Sequence, residues 1–188
     1  FHKEEFLGAV EPFLRRMPDH QPLNAASEIR RKSEVWPPGI VSLPARAKRA
    51  VGPIRLLWAA RWEHDKDPET FFAALEILQR QGVHFRASVI GQSFRDTPTV
   101  FASAYVKLKG HIDRWGFQET RADYDSALRE ADVFVSTAVH EFFGIAAAEA
   151  IAAGAYPVLP RRLAYPELLG LDQDTTASEF YYEGGAES

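Results

Sequence analysis

The sequence has no cysteine in 188 residues, which excludes disulfide cross-links and thiolate-bound metal sites from the outset. No apolar run approaches the roughly 18 residues that a membrane-spanning helix needs. The opening Phe1-His2-Lys3-Glu4-Glu5-Phe6-Leu7 lacks the apolar core of a secretory leader, so a cytoplasmic location is the expectation. Positive charge is not in excess either. Lys and Arg number 22 against 26 Asp and Glu, a formal charge of −4, which is no global footprint for nucleic acid. A Walker-type phosphate loop and a Gly-x-Ser-x-Gly nucleophile elbow are absent, and His140-Glu141 has no second histidine to complete a zinc-protease helix. There is no internal repeat and no low-complexity tract. What remains is an ordinary globular composition, 46% apolar and 26% charged, in a chain long enough to bury a full core.

Against that background one stretch organises the chain. Val133 to Thr137 reads as a short buried strand, and His140 to Gly154 follows as a tight loop and a helix of small residues closed by glycine. Two carboxylates interrupt the apolar pattern: Glu141 in the loop and Glu149 inside the helix, with seven residues between them. An alanine-rich helix packs closely on a sheet, so a glutamate within it belongs near the sheet edge, where a ligand can reach it. The first peptide N–H groups of the helix, around Phe143, Gly144, Ile145 and Ala146, have no intrahelical partners and attract anions. Carboxylates for hydroxyl groups beside free N–H groups for phosphate suit a nucleotide sugar. A capped helix with a merely solvated Glu149 would show the same spacing.

The rest of the chain gives the context. Residues 1–19 pattern as a helix with Phe6, Val10, Phe13 and Leu14 on one face, stopped at Met17-Pro18-Asp19. Residues 20–53 show no sustained periodicity and read as connector. From Ile54 strands alternate with helices. Strands are expected at Ile54–Ala60, Phe85–Ile90, Arg114–Phe117, Val133–Thr137, Tyr156–Leu159 and Glu179–Tyr182. Asp67-Pro68 supplies an N-cap and a first-turn proline for the helix that carries Phe71, Phe72, Leu75 and Leu78. The positions Phe101, Ala104, Tyr105, Leu108 and Ile112 mark a second helix, and Tyr124, Leu128 and Ala131 a third. This alternation implies α/β architecture: a Rossmann-like, doubly wound parallel sheet spanning residues 54–184, with ligands beyond the carboxyl ends of its strands.

Glu141, Phe143-Gly144 and Glu149 together resemble the signature of the retaining GT-B glycosyltransferases of family 4. The resemblance implies that Glu141 contacts the donor sugar and Glu149 the nucleotide ribose. It extends to the loop Arg61-Trp62-Glu63-His64-Asp65-Lys66, where Arg61 and Lys66 match two cations that in that family touch the donor diphosphate. With Glu141 they form the implied catalytic set. Gly91 is expected to let a ligand approach the backbone closely. Trp115 reads either as a stacking partner for the base or as a core aromatic, and Phe117 stays unassigned. Phe142 and Phe143, with Gly144 and Ile145, are the candidate walls of the sugar pocket, burial of both rings being the competing reading. Because cationic side chains and helix N-termini replace a divalent metal in this family, no metal and no cofactor beyond the nucleotide sugar are expected.

Residues 61–69, His140 to Gly144 and Tyr165-Pro166-Glu167 are similar to the tRNA-queuosine mannosyltransferase branch, which implies GDP-mannose as donor and tRNA as acceptor. Trp36-Pro37-Pro38-Gly39 resembles the element between the two domains of GT-B enzymes. On that likeness residues 1–19 would be the closing helix of an absent N-terminal domain, residues 20–53 the interdomain linker, and the chain on its own inactive. A freestanding helical arm fits the same pattern. The basic residues from Arg30 to Arg49 read as a contact for tRNA phosphates or as a solvated linker. A non-catalytic nucleotide-sugar-binding module and another GT-B class, such as a nucleotide-sugar epimerase, remain the rival readings. The sharpest geometric expectation is that Arg61, Gly91, Glu141 and Glu149 share one edge of one parallel sheet.

Overall fold

A computed structural model of the chain describes residues 2–43, 51–170 and 175–185. These fall into two compact units divided between Gly39 and Ile40. Arg46, Lys48 and Arg49 of the basic stretch lie outside the described residues.

The first unit contains α1 (His2–Leu14) and α2 (Ala25–Lys32). The second helix was not legible in the residues read as connector, because half of its eight residues are charged and none is buried. It is held by groups distant in sequence: the Arg30 guanidinium forms a bidentate pair with Glu4 at 2.7 Å, and Lys3 Nζ donates to the Ser33 carbonyl at 2.7 Å. In α1 the residue that packs inward is Leu7, whereas Phe6 and Phe13, read as sharing one apolar face, are exposed. The described basic side chains of α2 are internally paired, Arg30 with Glu4 and both Arg31 and Lys32 with Glu28.

The second unit is a six-stranded sheet formed by β1 (Ile54–Ala59), β2 (Phe85–Ile90), β3 (Ile112–Gly116), β4 (Val133–Val135), β5 (Tyr156–Pro160) and β6 (Tyr181–Tyr182). The order is β3-β2-β1-β4-β5-β6 and every pairing is parallel. This is the doubly wound arrangement anticipated from the alternation. Its order reverses between β1 and β4, and the crevice at that point is where such sheets bind ligands. The central strand β1 explains why its sequence is an apolar run broken only by Arg55. Leu57 faces one core, while Leu56 and Trp58 face the other, so both faces are buried.

Helices α3 (Pro68–Arg80) and α4 (Val100–Leu108) cover one face with Phe71, Phe72, Leu75, Phe101 and Leu108. Helices α5 (Arg121–Glu130) and α6 (Ile145–Ala152) cover the other with Ala127, Leu128, Ala147 and Ala150. A short helix α7 (Tyr165–Leu168) adds Tyr165 to that second core. Among the described residues no helix is long and apolar enough to cross a membrane.

Local chemistry sets the helix starts that matter for the site. Asp67, in the left-handed region at φ 46°, caps α3 by accepting from the Thr70 N–H, with Pro68 in the first turn. Thr120 caps α5 in the same way, accepting from Asp123 N–H. Helix α6 begins at Gly144, φ +83°, without a side-chain cap, which leaves its first N–H groups open.

Candidate functional site

The carboxyl ends of β1, β2 and β3 and the starts of α5 and α6 enclose a cleft of about 510 Å³. Arg61 follows β1, Gly91 follows β2, and Phe117 to Arg121 follow β3; Ile145, Ala146 and Glu149 come from α6. A smaller cavity beside it is lined by Lys66, Ser136, Glu141, Gly144 and Tyr165. Ala59, Ala60 and Ala146 line both, so the two are contiguous. The expected gathering of Arg61, Gly91, Glu141 and Glu149 at one sheet edge is what the fold produces.

Arg61, Lys66, Glu141 and Glu149 each have a defined partner. Glu149 is only 5% exposed, and both of its oxygens are engaged. Oε1 accepts from the Arg121 guanidinium at 2.8 Å and Oε2 from the Tyr124 hydroxyl at 2.7 Å. Lys66 is also buried. Its ammonium donates to the His140 carbonyl and pairs with Asp65 at 3.2 Å and Glu141 at 3.4 Å. Arg61 differs from these: it is more than half exposed, and its partner Glu63, 2.9 Å away, lies on the same loop. The backbone N–H groups of Val139 and His140 donate to the Asp65 carbonyl, and Thr137 Oγ1 donates to the Lys66 carbonyl. The loop after β1 and the loop after β4 are thereby fastened into one platform.

At Gly144 and Gly91 protein atoms already occupy the space a side chain would need. A Cβ at Gly144 would lie 2.9 Å from the Tyr165 ring. One at Gly91 would lie 1.7 Å from the Ala60 carbonyl oxygen. Gly91 also lines the cleft, and it permits the close approach of the segment after β1 to the end of β2.

Three aromatic expectations need correction. Trp115 does not line the cleft. It packs against Trp62, Phe72, Phe101 and Tyr105 with ring centroids 5.0–6.1 Å apart, so it serves the core over α3 and α4. An exposed aromatic does line the cleft: Phe117, 60% exposed, which the Gly116 turn at φ +87° turns outward from the strand end. Phe142 is exposed with its ring edge-on to His140, Phe143 is half-buried, and neither lines the cleft or the smaller cavity.

Arg121 was not singled out in the sequence, and Tyr124 was read only as part of a helix's apolar face. The available signal was Thr120 with Asp123 three residues later, a helix-start pattern that places Arg121 at the strand-end edge. Among the described residues no group of three His, Asp or Glu side chains is arranged to hold a metal ion.

Burial displaces three phenols of this region. The Tyr124 hydroxyl is pushed well above the ordinary tyrosine range by burial and then by its bond to Glu149. Burial likewise raises Tyr165, against the opposing effect of its bond to Ser136, and pushes Tyr182 up to about 12. A raised folded-state value means that the unfolded chain releases its proton first, near pH 10. Stability from these groups is therefore complete below about pH 10 and declines as pH climbs through the folded values. A phenolate absorbance titration should find three of the six tyrosines ionising later in the folded chain than in denaturant. Coincident curves would contradict the burial argument.

Residues 43–177 match the family described as Glycosyl transferases group 1. The chain belongs to that family. Residues 1–40 match the family described as tRNA-queuosine alpha-mannosyltransferase N-terminal. A curated relative, the tRNA-queuosine alpha-mannosyltransferase of Drosophila melanogaster, is 34% identical over 179 residues. That alignment takes in 89% of this chain and 47% of the relative, so the chain spans about half the relative's length.

The fold recurs in solved structures. A pneumococcal O-GlcNAc transferase, GtfA, matches 87% of this chain with 30% of its own, at a TM-score of 0.59 and 16% identity. TarM of S. aureus matches 87% with 33% of its own, at a TM-score of 0.62 and 14% identity. The C-terminal domain of the Francisella tularensis protein LpcC matches 62% with 62% of its own, at a TM-score of 0.53 and 24% identity. At these identities the likeness concerns fold alone.

Proposed function

We propose that residues 54–184 are the donor-binding domain of a retaining glycosyltransferase that transfers mannose from GDP-mannose to queuosine in tRNA. The observation that carries the proposal is one cleft, at the reversal point of a group 1 sheet, lined by both Arg61 and Glu149 and contiguous with Lys66 and Glu141. The donor and acceptor follow the curated relative's name, together with the N-terminal match of residues 1–40. Those residues are then the part of the N-terminal domain that this chain carries, followed by the linker. A cytoplasmic location accords with tRNA as acceptor.

The roles follow from the chemistry. Breaking the glycosidic bond leaves negative charge on the nucleoside diphosphate. Arg61, Lys66 and the open N–H groups of Gly144 and Ile145 offer positive potential to it, stabilising the transition state more than the ground state. They do so without a metal ion. Glu141, on the neighbouring cavity, takes the sugar hydroxyls, and Glu149 takes the ribose. Phe117 is the exposed ring available to stack on the base.

Calorimetry with GDP, UDP and ADP tests the reading. GDP is expected to bind best, and Arg61→Ala to weaken it about 10–150-fold, the value of one charge-assisted contact. Glu141→Ala is expected to affect GDP-mannose more than GDP. Failure of all three nucleotides to bind would remove the donor site.

A further inference from the structure

The carboxylate of Glu149 is a buried charge with two donors already on it, and both come from α5. Arg121 opens that helix, and its guanidinium is itself held from two sides. Nε donates to Asp125 Oδ1 at 2.7 Å, and the carbon of the guanidinium stands 5.2 Å from the Tyr124 ring centroid. The arm reaching Glu149 Oε1 is therefore anchored along the helix rather than free to swing. Tyr124 reaches the other oxygen from one turn further on. The α5 start is in turn fixed by Thr120, whose hydroxyl donates to Asp123 Oδ2 at 2.6 Å and whose oxygen caps the helix. Thr120, Arg121 and Tyr124 all line the cleft with Glu149.

A carboxylate has about four lone-pair sites and donates nothing. With one site on each oxygen filled from α5, one remains on each, both on a group whose plane the two donors define. That arrangement accepts two neighbouring hydroxyl groups at once, which is the chemistry of a vicinal cis-diol. Resting on the donor-site reading above, we infer that Arg121 and Tyr124 are positioning residues. They set the Glu149 carboxylate so that the cleft selects nucleotides with an intact ribose diol over their deoxy counterparts. They act through Glu149, and a variant that merely loosened the domain would weaken every nucleotide alike.

The experiment measures Kd by calorimetry for whichever of GDP, UDP and ADP binds best and for its 2′-deoxy and 3′-deoxy forms. The protein is the 188-residue chain and its Arg121→Ala, Arg121→Lys and Tyr124→Phe variants. The wild-type protein should prefer the ribonucleotide by about 10-fold or more over each deoxy form, the value of a hydrogen bond to a charged acceptor. In Arg121→Ala and Tyr124→Phe the ratio should fall toward unity, with Arg121→Lys restoring part of it. Variants that bind more weakly yet keep the wild-type ratio overturn the positioning role and leave the donor site standing. A wild-type protein that binds no nucleotide overturns both.

Discussion

Gly91→Ala is expected to destabilise the domain by ~4 kcal/mol, at the severe end for a single substitution. A midpoint fall of roughly 10–15 °C follows for a chain of this size. The added methyl carbon would sit 1.7 Å from the Ala60 carbonyl oxygen and 2.7 Å from its carbon, both backbone atoms that no rotamer change can move. Gly91 also lies at φ +152°, outside the range that side-chain-bearing residues favour. The two sheet strands would have to part where they are paired, because Ala60 N–H donates to Ile90 and Trp62 N–H to Gln92 just beyond. That displacement would carry Arg61 with it. Gly82→Ala is the matched control: φ is +70° there but nothing lies within 4 Å, so only the left-handed penalty of about 1–2 kcal/mol applies. Thermal melts of the two variants decide the matter, and equal losses would show that the Ala60 contact has no weight.

The same glycine illustrates what a sequence does and does not disclose. Its place at the end of β2 was legible, as were β1, β2 and the β4-to-α6 unit, because strands buried on both faces are mostly apolar, interrupted only by Arg55 in β1 and by Arg86 and Ser88 in β2. The reason for the glycine was not legible, since Ala60 is thirty-one positions away in the chain. Trp115 shows the same limit from another side. An aromatic at a strand end can face a ligand or a core, and Trp62, Phe72, Phe101 and Tyr105 decide the question only once α3 and α4 are folded over it.

Helix boundaries slipped where local signals competed. A 3-10 turn at Lys109–His111 separates α4 from β3, so Ile112, read as the end of the helix, opens the strand instead. No start was assigned to α5, only Tyr124, Leu128 and Ala131 within or beside it, and Arg121 was lost from the candidate site. The spacing of Glu141 and Glu149 marked both carboxylates correctly as residues of the sheet edge. It contained nothing about the donors from α5 that hold the second of them.

Lys66→Ala should have a different profile from Arg61→Ala, although both remove one cation from the same loop. Arg61 is more than half exposed and pairs only within its loop, so its loss should leave stability within about 0.5 kcal/mol and act on ligand affinity alone. Lys66 is 8% exposed and joins two loops, contacting the His140 carbonyl, Asp65 and Glu141. Removing it leaves two carboxylates facing each other beside an unsatisfied carbonyl. A fully buried pair broken in this way costs about 3–5 kcal/mol; Asp65 and Glu141 retain solvent contact, which brings the expected loss to about 2–3 kcal/mol. Nucleotide affinity should fall at least as far as in Arg61→Ala, because the platform that presents Glu141 and Gly144 loosens along with the loss of charge.

Lys66→Met retains most of the side-chain volume and separates these effects. If the ion pairs dominate, Met should be little better than Ala. Pairing Lys66→Met with Glu141→Gln should then recover part of the loss, since the uncompensated charge opposite is gone. Denaturant melts and GDP calorimetry on the two single variants and the double variant give the coupling directly. Strict additivity would mean that Lys66 and Glu141 do not support one another, and that the 3.4 Å contact between them is incidental.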